Sequence, residues 1–246
     1  MLQKQILKKI VENFDTSGEM FADGKRNKIK LFEIEGKILN IKSFKKPIFI
    51  NQIIYRYFRK SKAKRSFENA KKLLDFDIKT PNPIDYIEFF NLIGLQKSYY
   101  VCEHLKVDFT FLNVLYIEDG DEKFDLIKRF AKFTFDLHEK GIEFLDHSPG
   151  NTLYVKNGLD YDLYLVDLNR MEFHQSISFE KRVKNLSRIA STENIIKLIS
   201  DEYILHYNHE NKSQFHEKLW QETEKFQKEF YRKKELKKKF LFWQKG

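Results

Sequence analysis

Two aspartates and one asparagine stand at positions that suit phosphate chemistry. Asp146 lies in a loop that follows a predicted helix, Asn151 comes five residues later, and Asp167 ends the second strand of a predicted hairpin. Transfer of a phosphoryl group from ATP needs one carboxylate to orient the attacking hydroxyl, and oxygen ligands that hold Mg²⁺ against the phosphates. Because the hairpin brings the three side chains together, the sequence predicts Asp146 as the catalytic residue, with Asn151 and Asp167 as metal ligands.

The loop around Asp146 resembles the catalytic loop of protein kinases, H-R-D-L-x-x-x-N. Asp146, Pro149 and Asn151 are in register with that pattern, and Asp167 stands where kinases have the aspartate of D-F-G. The preceding segment, Leu137 to Ile142, is similar to the end of the kinase helix that leads into the loop. The resemblance implies that ATP and Mg²⁺ are the cofactors.

Upstream of the loop, the tetrapeptide Leu-Asn-Ile-Lys that ends at Lys42 resembles the V-A-I-K motif of the third kinase strand. This resemblance implies that Lys42 contacts the α and β phosphates, with Glu68 on the next predicted helix as its ion-pair partner. The segment Tyr100 to Leu105 then corresponds to the hinge whose backbone holds adenine. The cofactor-binding residues expected on this basis are Lys42, Glu68, Glu103 and Leu105.

Among kinase-like proteins, the sequence is similar to the bacterial lipopolysaccharide kinases, the family of the kinases of Kdo (3-deoxy-D-manno-octulosonic acid) and core heptose. The similarity spans about residues 12 to 220 and is carried by residues 65–70, 78–83, 144–151 and 167–170. It implies an ATP-dependent kinase that acts at the cytoplasmic face of the inner membrane. The acceptor that it implies is a sugar hydroxyl of the Kdo-bearing lipid A precursor.

Several positions depart from the kinase pattern. Phe144 and Leu145 replace the histidine and arginine of the catalytic loop, so control by a phosphorylated activation loop is not expected. Asn169 replaces the glycine of D-F-G. The sequence has no G-x-G-x-x-G motif, and only the isolated Gly18 and Gly24 are candidates for the loop that covers the phosphates.

Composition and charge restrict the class of protein. The chain has 246 residues, of which 41% are hydrophobic, so it can bury a substantial core. Its single cysteine, Cys102, excludes an intrachain disulfide and any multi-cysteine metal site, as is usual in a reducing compartment. The N-terminal residues do not resemble a secretory signal, and no apolar run reaches the roughly 20 residues that span a bilayer. A cytoplasmic protein is therefore expected.

Positive charge is concentrated in two parts of the sequence. Of the net charge of +9, residues 225–246 contribute +7, and a second basic cluster lies between Arg56 and Arg65 after an apolar stretch. Anionic lipid headgroups attract such basic segments. We therefore expect peripheral contact with the inner membrane, through the C-terminal helix, the apolar stretch or both. No sequence module for nucleic-acid binding accompanies the charge, so nucleic acid is not an expected partner.

Hydrophobic patterning predicts an α+β, two-lobed, protein-kinase-like fold. The expected N-lobe, residues 1–103, has a five-stranded sheet and one helix, whereas the expected C-lobe, residues 104–246, is mainly helical. A hairpin is expected over residues 28–44, with its turn at Glu35-Gly36-Lys37. The other predicted strands are Ile84–Phe90, Ser98–Cys102, Thr152–Val155 and Tyr161–Asp167. The predicted helices are Ser66–Phe76, with Ser66 as its N-cap, Asp121–Lys140, and helices near 178–190, 192–207 and 212–240.

Two other functions remain open from the sequence. The first is a protein kinase or another small-molecule kinase of the same fold, against which the missing loop arginine argues weakly. The second is a catalytically silent kinase-like binding module. The retention of Lys42, Asp146, Asn151 and Asp167 argues against this module, and the glycine-poor phosphate loop favours it.

Overall fold

The computed structural model describes residues 2–24 and 26–243, and the side chains of residues 4–24, 26–209 and 211–236. The last cations of the predicted basic tail, at positions 237–239 and 245, lie outside the described side chains. The chain forms two compact units. The first unit consists of Met1–Val107 with Tyr164–Arg170, and the second of Asp108–Leu163 with Met171–Gly246.

The first unit is built around an antiparallel sheet of five strands. In chain order its helices are α1 (Leu2–Glu12), α2 (Phe49–Tyr57) and α3 (Lys62–Asp75), and its strands are β1 (Glu19–Asp23), β2 (Asn27–Ile34), β3 (Lys37–Phe44), β4 (Pro83–Phe90) and β5 (Leu95–Glu103). The strand order is β1-β2-β3-β5-β4, so β3 lies at the centre of the sheet. The predicted five-stranded sheet is present.

The core of the first unit lies between this sheet and α1. Leu39 and Ile41 on one face of β3 are buried, as the period of two of a pleated strand requires, whereas β5 is buried at five consecutive positions, 98–102, and so on both faces. Leu39 and Ile41 pack against the apolar face of α1, which the sequence analysis did not predict. The buried cluster consists of Leu7, Val11, Phe14, Leu39, Ile41, Ile87, Tyr99 and Val101.

The β2–β3 hairpin is confirmed, and its turn contains two residues in the left-handed region, Glu35 at φ 51° and Gly36 at φ 75°. Positive φ at both central positions gives the tight turn whose twist matches antiparallel strands. Helix α3, however, begins four residues before the predicted start. Its N-cap is Ser61, whose side chain accepts a hydrogen bond from the Lys64 amide, whereas Ser66 is buried inside the helix.

The second unit is mainly helical. Its helices are α4 (Phe111–Val114), α5 (Asp121–Glu139), α6 (Phe179–Leu186), α7 (Glu193–His206) and α8 (Phe215–Trp243), with 3₁₀ turns at Pro149–Asn151 and Glu210–Gln214. Its short strands are β6 (Phe109–Thr110), β7 (Ile142–Phe144), β8 (Thr152–Asn157), β9 (Asp160–Leu165, whose last two residues belong to the first unit) and β10 (Met171–Phe173). Strand β9 ends at Leu165, two residues before the predicted end.

An aromatic-rich core lies in the second unit. Phe130 of α5 stacks on Phe111 with ring centroids 3.9 Å apart, and Tyr203 of α7 stacks on Phe215 at 4.6 Å. The period of about 3.6 residues that predicted a buried stripe on α5 therefore reflects packing against both α4 and α7.

Gly141 ends α5 in the left-handed conformation, at φ 72°, as the sequence predicts. Its carbonyl accepts from the His174 amide at 2.8 Å. A Cβ atom at this position would lie 2.0 Å from the His174 carbonyl oxygen, so any larger residue would collide with backbone. The close approach joins the end of α5 to the segment after β10.

No helix within residues 2–24 and 26–243 combines the length and the apolar character required to span a bilayer. The β-rich first unit and the helical second unit confirm the predicted α+β class with two lobes.

Candidate active site

Lys42 lies near the end of the central strand β3 and forms an ion pair with Asp167. Its ammonium donates to Asp167 Oδ1 over 2.7 Å, and the lysine side chain is only 13% exposed. A partly buried lysine beside a carboxylate of this type offers a fixed positive charge for phosphate oxygens. Two of the residues that the sequence analysis singled out, 125 positions apart in the chain, are thus brought together in the first unit.

The segment that carries Asp167 is fixed to the first unit at several points. Thr80 donates to the carbonyl of Leu165 over 2.8 Å, and Asn69 of α3 donates to the carbonyl of Leu168 over 2.7 Å. Arg65, one turn earlier on α3, donates to the carbonyl of Asn169 over 2.8 Å. These contacts hold Asp167 in the left-handed region at φ 62°, which a non-glycine residue seldom adopts.

Asp167 keeps one carboxylate oxygen for a further ligand. Lys42 donates to Oδ1, and so does the side-chain amide of Asn169, over 2.9 Å. Within the described residues no side chain donates to Oδ2. The replacement of the D-F-G glycine by Asn169 therefore adds a donor that orients the carboxylate.

Cations surround this carboxylate. Burial lowers the pKa of Lys62, the neighbouring charges of Arg26 and Arg65 lower it further, and Asp167 raises it. Lys62 and Arg65 lie on one face of α3, whereas Arg26 lies in the turn between β1 and β2, after Gly24. A concentration of cations around one carboxylate suits the phosphates of a nucleotide. The β1–β2 turn is accordingly the best candidate for the phosphate-covering loop.

Glu68 lies on the predicted helix, but its carboxylate accepts from Lys60 over 2.8 Å, whereas Lys42 pairs with Asp167. The expected pair of Lys42 with Glu68 is therefore replaced by two other pairs. The reason is local: Asp167 lies closer to Lys42, and Lys60 precedes the cap of α3 and reaches Glu68. The role of Glu68 in nucleotide binding stays a prediction.

The expected hinge residues follow the end of β5. The Glu103 amide donates to the Asn82 carbonyl over 2.9 Å, and its carboxylate pairs with Lys37, which lowers the pKa of Glu103. Among the described residues the Leu105 amide donates to no acceptor. Leu105 therefore offers a backbone donor of the kind that adenine accepts, while adenine binding by Glu103 and Leu105 stays a prediction.

In the second unit, Asp146 and Asn151 belong to one tight loop between β7 and β8. The side-chain amide of Asn151 donates to the main-chain carbonyl of Asp146 over 2.9 Å, and the 3₁₀ turn Pro149–Asn151 closes the loop. Because the amide nitrogen is used within the loop, Asn151 Oδ1 is the atom available as a ligand. The spacing of five residues between Asp146 and Asn151 is explained by this loop.

A buried network of neutral side chains supports the loop on the side that faces the core of the second unit. Asn185 of α6 donates to the Phe144 carbonyl over 2.8 Å, so its side-chain oxygen must accept. His138 and His147 each lie 3.1 Å from that oxygen and therefore both donate to it. The second nitrogen of His138 lies 2.8 Å from the hydroxyl of Tyr203, which donates to it.

Burial keeps both histidines neutral. It lowers the pKa of His138 to about 3 and that of His147 to about 4, with the hydrogen bond to Asn185 opposing the shift. His147, next to the predicted catalytic residue, is 1% exposed and packs between the rings of Phe130 and Phe144. Its role in the structure is to hold the loop.

The donor sets suit Mg²⁺, which prefers oxygen ligands such as carboxylate and amide oxygens. The hydrogen bonds described above leave one such oxygen in each unit, Asp167 Oδ2 in the first and Asn151 Oδ1 in the second. The first unit thus carries a carboxylate with cations around it, and the second carries an acid in a rigid loop.

The sequence analysis missed the roles of Lys62, Arg65 and Asn69 on α3. Their spacing of three and four residues places them on one helix face, which was a usable signal. The predicted helix began at Ser66, which left the two cations outside it. His138 and Asn185 were missed because residues 47 positions apart carry no shared local pattern.

Comparison with known proteins supports this reading of the fold. No family model and no curated protein matches the sequence. Among solved structures, WaaP in complex with acyl carrier protein is similar with a TM-score of 0.59 and 14% identity, over 88% of this chain and 92% of that chain. The fold is protein-kinase-like. The Rio2 kinase of Chaetomium thermophilum, in a complex with ADP, Mg²⁺ and phosphoaspartate, is also similar. Its TM-score is 0.50 and its sequence identity is 13%, over 89% of this chain and 75% of that chain.

Proposed function

We propose that this protein is an ATP-dependent kinase that phosphorylates a hydroxyl of Kdo in the lipopolysaccharide inner core. The observation that carries the proposal is the ion pair between Lys42 and Asp167, 2.7 Å long, in a kinase-like fold that also retains Asp146 and Asn151. A chain that had become a silent binding module would have no need to keep all four side chains.

Each side chain has a definite task in this reaction. Lys42, with Lys62 and Arg65 near it, neutralises phosphate oxygens of the nucleotide. Asp167 and Asn151 would hold Mg²⁺, which spreads the negative charge that develops on the phosphates. Asp146 accepts a hydrogen bond from the acceptor hydroxyl and orients it for attack, and its loop keeps it in one position through the bond from Asn151.

The choice of Kdo rests on the sequence resemblance to the lipopolysaccharide kinases, and the fold shared with WaaP supports a kinase. The basic surface of the chain agrees with this choice, because the lipid A precursor and Kdo are both anionic. An electropositive surface raises the local concentration of such a substrate.

The test is transfer of phosphate from γ-labelled ATP, with Mg²⁺, to purified lipid A precursor that carries or lacks Kdo. We expect label only on the Kdo-bearing lipid. Label on neither lipid, together with nucleotide hydrolysis, would keep the kinase and reject Kdo as the acceptor. Neither hydrolysis nor nucleotide binding would instead favour the binding module.

Matched variants make the assay specific. Asp146→Asn should abolish transfer while nucleotide binding remains, and Lys42→Met should weaken nucleotide binding as well. The controls are Asp201→Asn and Lys197→Met, which change the same residue types in an exposed ion pair on α7. Near-normal turnover by Asp146→Asn would show that the assigned role is wrong.

A further inference from the structure

Helix α2 of the first unit reverses the usual arrangement of a surface helix. Its buried residue is polar: Gln52 is 8% exposed, donates to the Pro47 carbonyl and accepts from Gln96 over 2.7 Å. Its exposed residues include Phe49 and Tyr57, which are 60% and 64% exposed. A soluble surface helix normally places its apolar side chains toward the core.

The apolar residues of α2 form one stripe, in which Phe49, Ile50 and Tyr57 are exposed and residues 53 and 54 are half-buried. The residues at positions 49, 50, 53, 54 and 57 have the spacing of a single helix face, and all five are large and apolar or aromatic. This stripe faces away from the side on which Gln52 contacts β5. We call it the α2 stripe.

The turn between β4 and β5 extends this apolar surface. Gly94 approaches α2 so closely that a Cβ there would lie 2.3 Å from the Gln52 carbonyl oxygen, and Arg56 donates to the Asn91 carbonyl. The turn therefore lies against the helix, and it carries Leu92, which is 95% exposed. Exposed apolar residues grouped in this way mark an interaction site.

Cations accompany the α2 stripe. A cleft of about 490 Å³ begins at the residues that precede α2, and Gln96, which contacts α2, also lines it. Five of its lining residues are basic, against the single acid Asp15: Arg26, Lys28, Lys45, Lys46 and Lys97. A cleft with this composition suits phosphate groups.

The surrounding sequence contains no acid. From Gly36 to Phe67 there are ten lysines and arginines and no aspartate or glutamate. An acidic protein could match this charge, but a protein interface also needs a polar rim with specific hydrogen bonds. A short aromatic helix with cations at both ends matches the interface of an anionic bilayer, where aromatic rings enter the headgroup region and cations meet phosphates.

We infer that the α2 stripe and Leu92 form a docking surface for anionic membranes, with the headgroup phosphates held by Lys45 and Lys46 of the adjacent basic cleft. The surface lies wholly in the first unit and is independent of the C-terminal basic helix. The inference goes beyond the proposed reaction and does not depend on it, because membrane binding needs neither nucleotide nor acceptor sugar.

Vesicle sedimentation tests the inference with the full chain. We expect the protein to bind vesicles of phosphatidylglycerol and phosphatidylcholine in equal parts, and to bind phosphatidylcholine alone at least about tenfold more weakly. The double variant Phe49→Ser/Leu92→Ser should lose at least about tenfold in binding to the anionic vesicles. The control is Tyr116→Ser/Leu159→Ser, which removes two equally exposed apolar residues from the second unit and should bind as the wild type does.

Two further variants separate the charged regions. Lys45→Gln/Lys46→Gln should weaken binding severalfold, whereas Lys228→Gln/Arg232→Gln in α8 should change it less. The reverse order would assign the docking to the C-terminal helix and overturn the inference. Absence of binding to anionic vesicles would also overturn it and would leave an acidic protein as the occupant.

Fluorescence locates the contact. In a Leu92→Trp variant we expect the added emission to shift to the blue with anionic vesicles and to be quenched by brominated lipid, while a Leu159→Trp variant shows neither change. Equal responses of the two variants would overturn the assignment of the surface. Because no nucleotide is present, failure here leaves the kinase assay unaffected, and a failed kinase assay leaves this result unaffected.

Discussion

The two units hold their candidate site residues by different physical means. In the first unit, Asp167 is fixed by charged and polar donors, and Lys42, Lys62 and Arg65 leave a strongly positive environment. In the second unit, the loop of Asp146 is supported by neutral groups that are almost completely buried.

This difference follows from what each region has to do. Charges that bind phosphate must stay accessible and must exchange partners with a ligand, so their pairs contribute little to folding. A loop that positions one carboxylate needs a fixed support, and a buried network of hydrogen-bonded side chains supplies it. We therefore expect variants of the first region to change catalysis more than stability, and variants of the supporting network to change stability as well.

The largest effect is expected for Asp146→Asn. The amide cannot take the hydrogen bond of the acceptor hydroxyl in the same way, and transfer should fall by about 10³-fold. The free energy of unfolding, measured in urea, should change by less than about 1 kcal/mol, because the substitution keeps the size of the side chain and leaves the bond of Asn151 to the main-chain carbonyl in place. A loss of stability comparable to the loss of activity would contradict the distinction between the loop and its support.

For Asn185→Leu we expect the loss of stability to be the main effect. It removes the acceptor of His138 and His147 and the donor to the Phe144 carbonyl, so several buried polar groups lose their partners. We expect the free energy of unfolding to fall by about 3 to 5 kcal/mol in urea denaturation. Asn194→Leu, an exposed position on α7, is the control and should change it by less than about 0.5 kcal/mol.

The neutral histidines predict a loss of stability in acid. Since burial lowers the pKa of His138 to about 3 and of His147 to about 4, only the unfolded chain takes up these protons between about pH 6.5 and pH 4. Folding stability should therefore be complete above pH 6.5 and decrease as the pH falls, by about 1.4 kcal/mol per pH unit for each histidine. Urea denaturation at a series of pH values measures the slope. His147→Phe should lower this slope by the contribution of one proton, about 1.4 kcal/mol per pH unit.

Asn69→Ala tests how α3 holds the Asp167 segment. Loss of the hydrogen bond to the Leu168 carbonyl should cost about 1 kcal/mol in stability. Because Asp167 is then less well positioned, transfer should fall by about tenfold, with most of the change in kcat. Lys71→Ala, at an exposed position of the same helix, serves as the control, and an equal effect there would indicate a general loss of helix stability.

The smallest effect is expected for Glu68→Gln. Its present partner, Lys60, is 57% exposed, and such surface pairs contribute less than about 1 kcal/mol. Transfer should fall only a few-fold, as measured by kcat/KM for ATP. A loss of 100-fold or more would show that Glu68 replaces Asp167 as the partner of Lys42 during turnover.

Local patterns were sufficient for most of the fold and failed where contacts are distant in sequence. The alternation of apolar and polar residues predicted the β2–β3 hairpin, and the apolar stripe predicted α5. Both signals are local, because the hydrophobic period of a strand or helix appears in residues close together in the sequence. The start of α3 was misplaced because Ser61 and Ser66 are equally good caps by residue type. Only tertiary packing decides that Ser66 is buried.

The same limit applies to the candidate site. Motif spacing correctly paired Asp146 with Asn151, five residues apart, because one loop holds both. The partner of Lys42 was predicted from the resemblance to the kinase fold, whereas the structure assigns it to Asp167. The support by Asn185 depends on side chains from three separate elements, and no local signal marks such a network.

Gly141 also determines which sequences this protein can accept. Glu122 and Lys128 on α5 are exposed, so a deep mutational scan should find them tolerant of many residue types. At position 141 even alanine would place a carbon atom 2.0 Å from the His174 carbonyl oxygen, in a backbone conformation that L-residues seldom adopt. Evolution can therefore vary such exposed positions of α5, but it has one option at the residue where the helix turns toward the loop of Asp146.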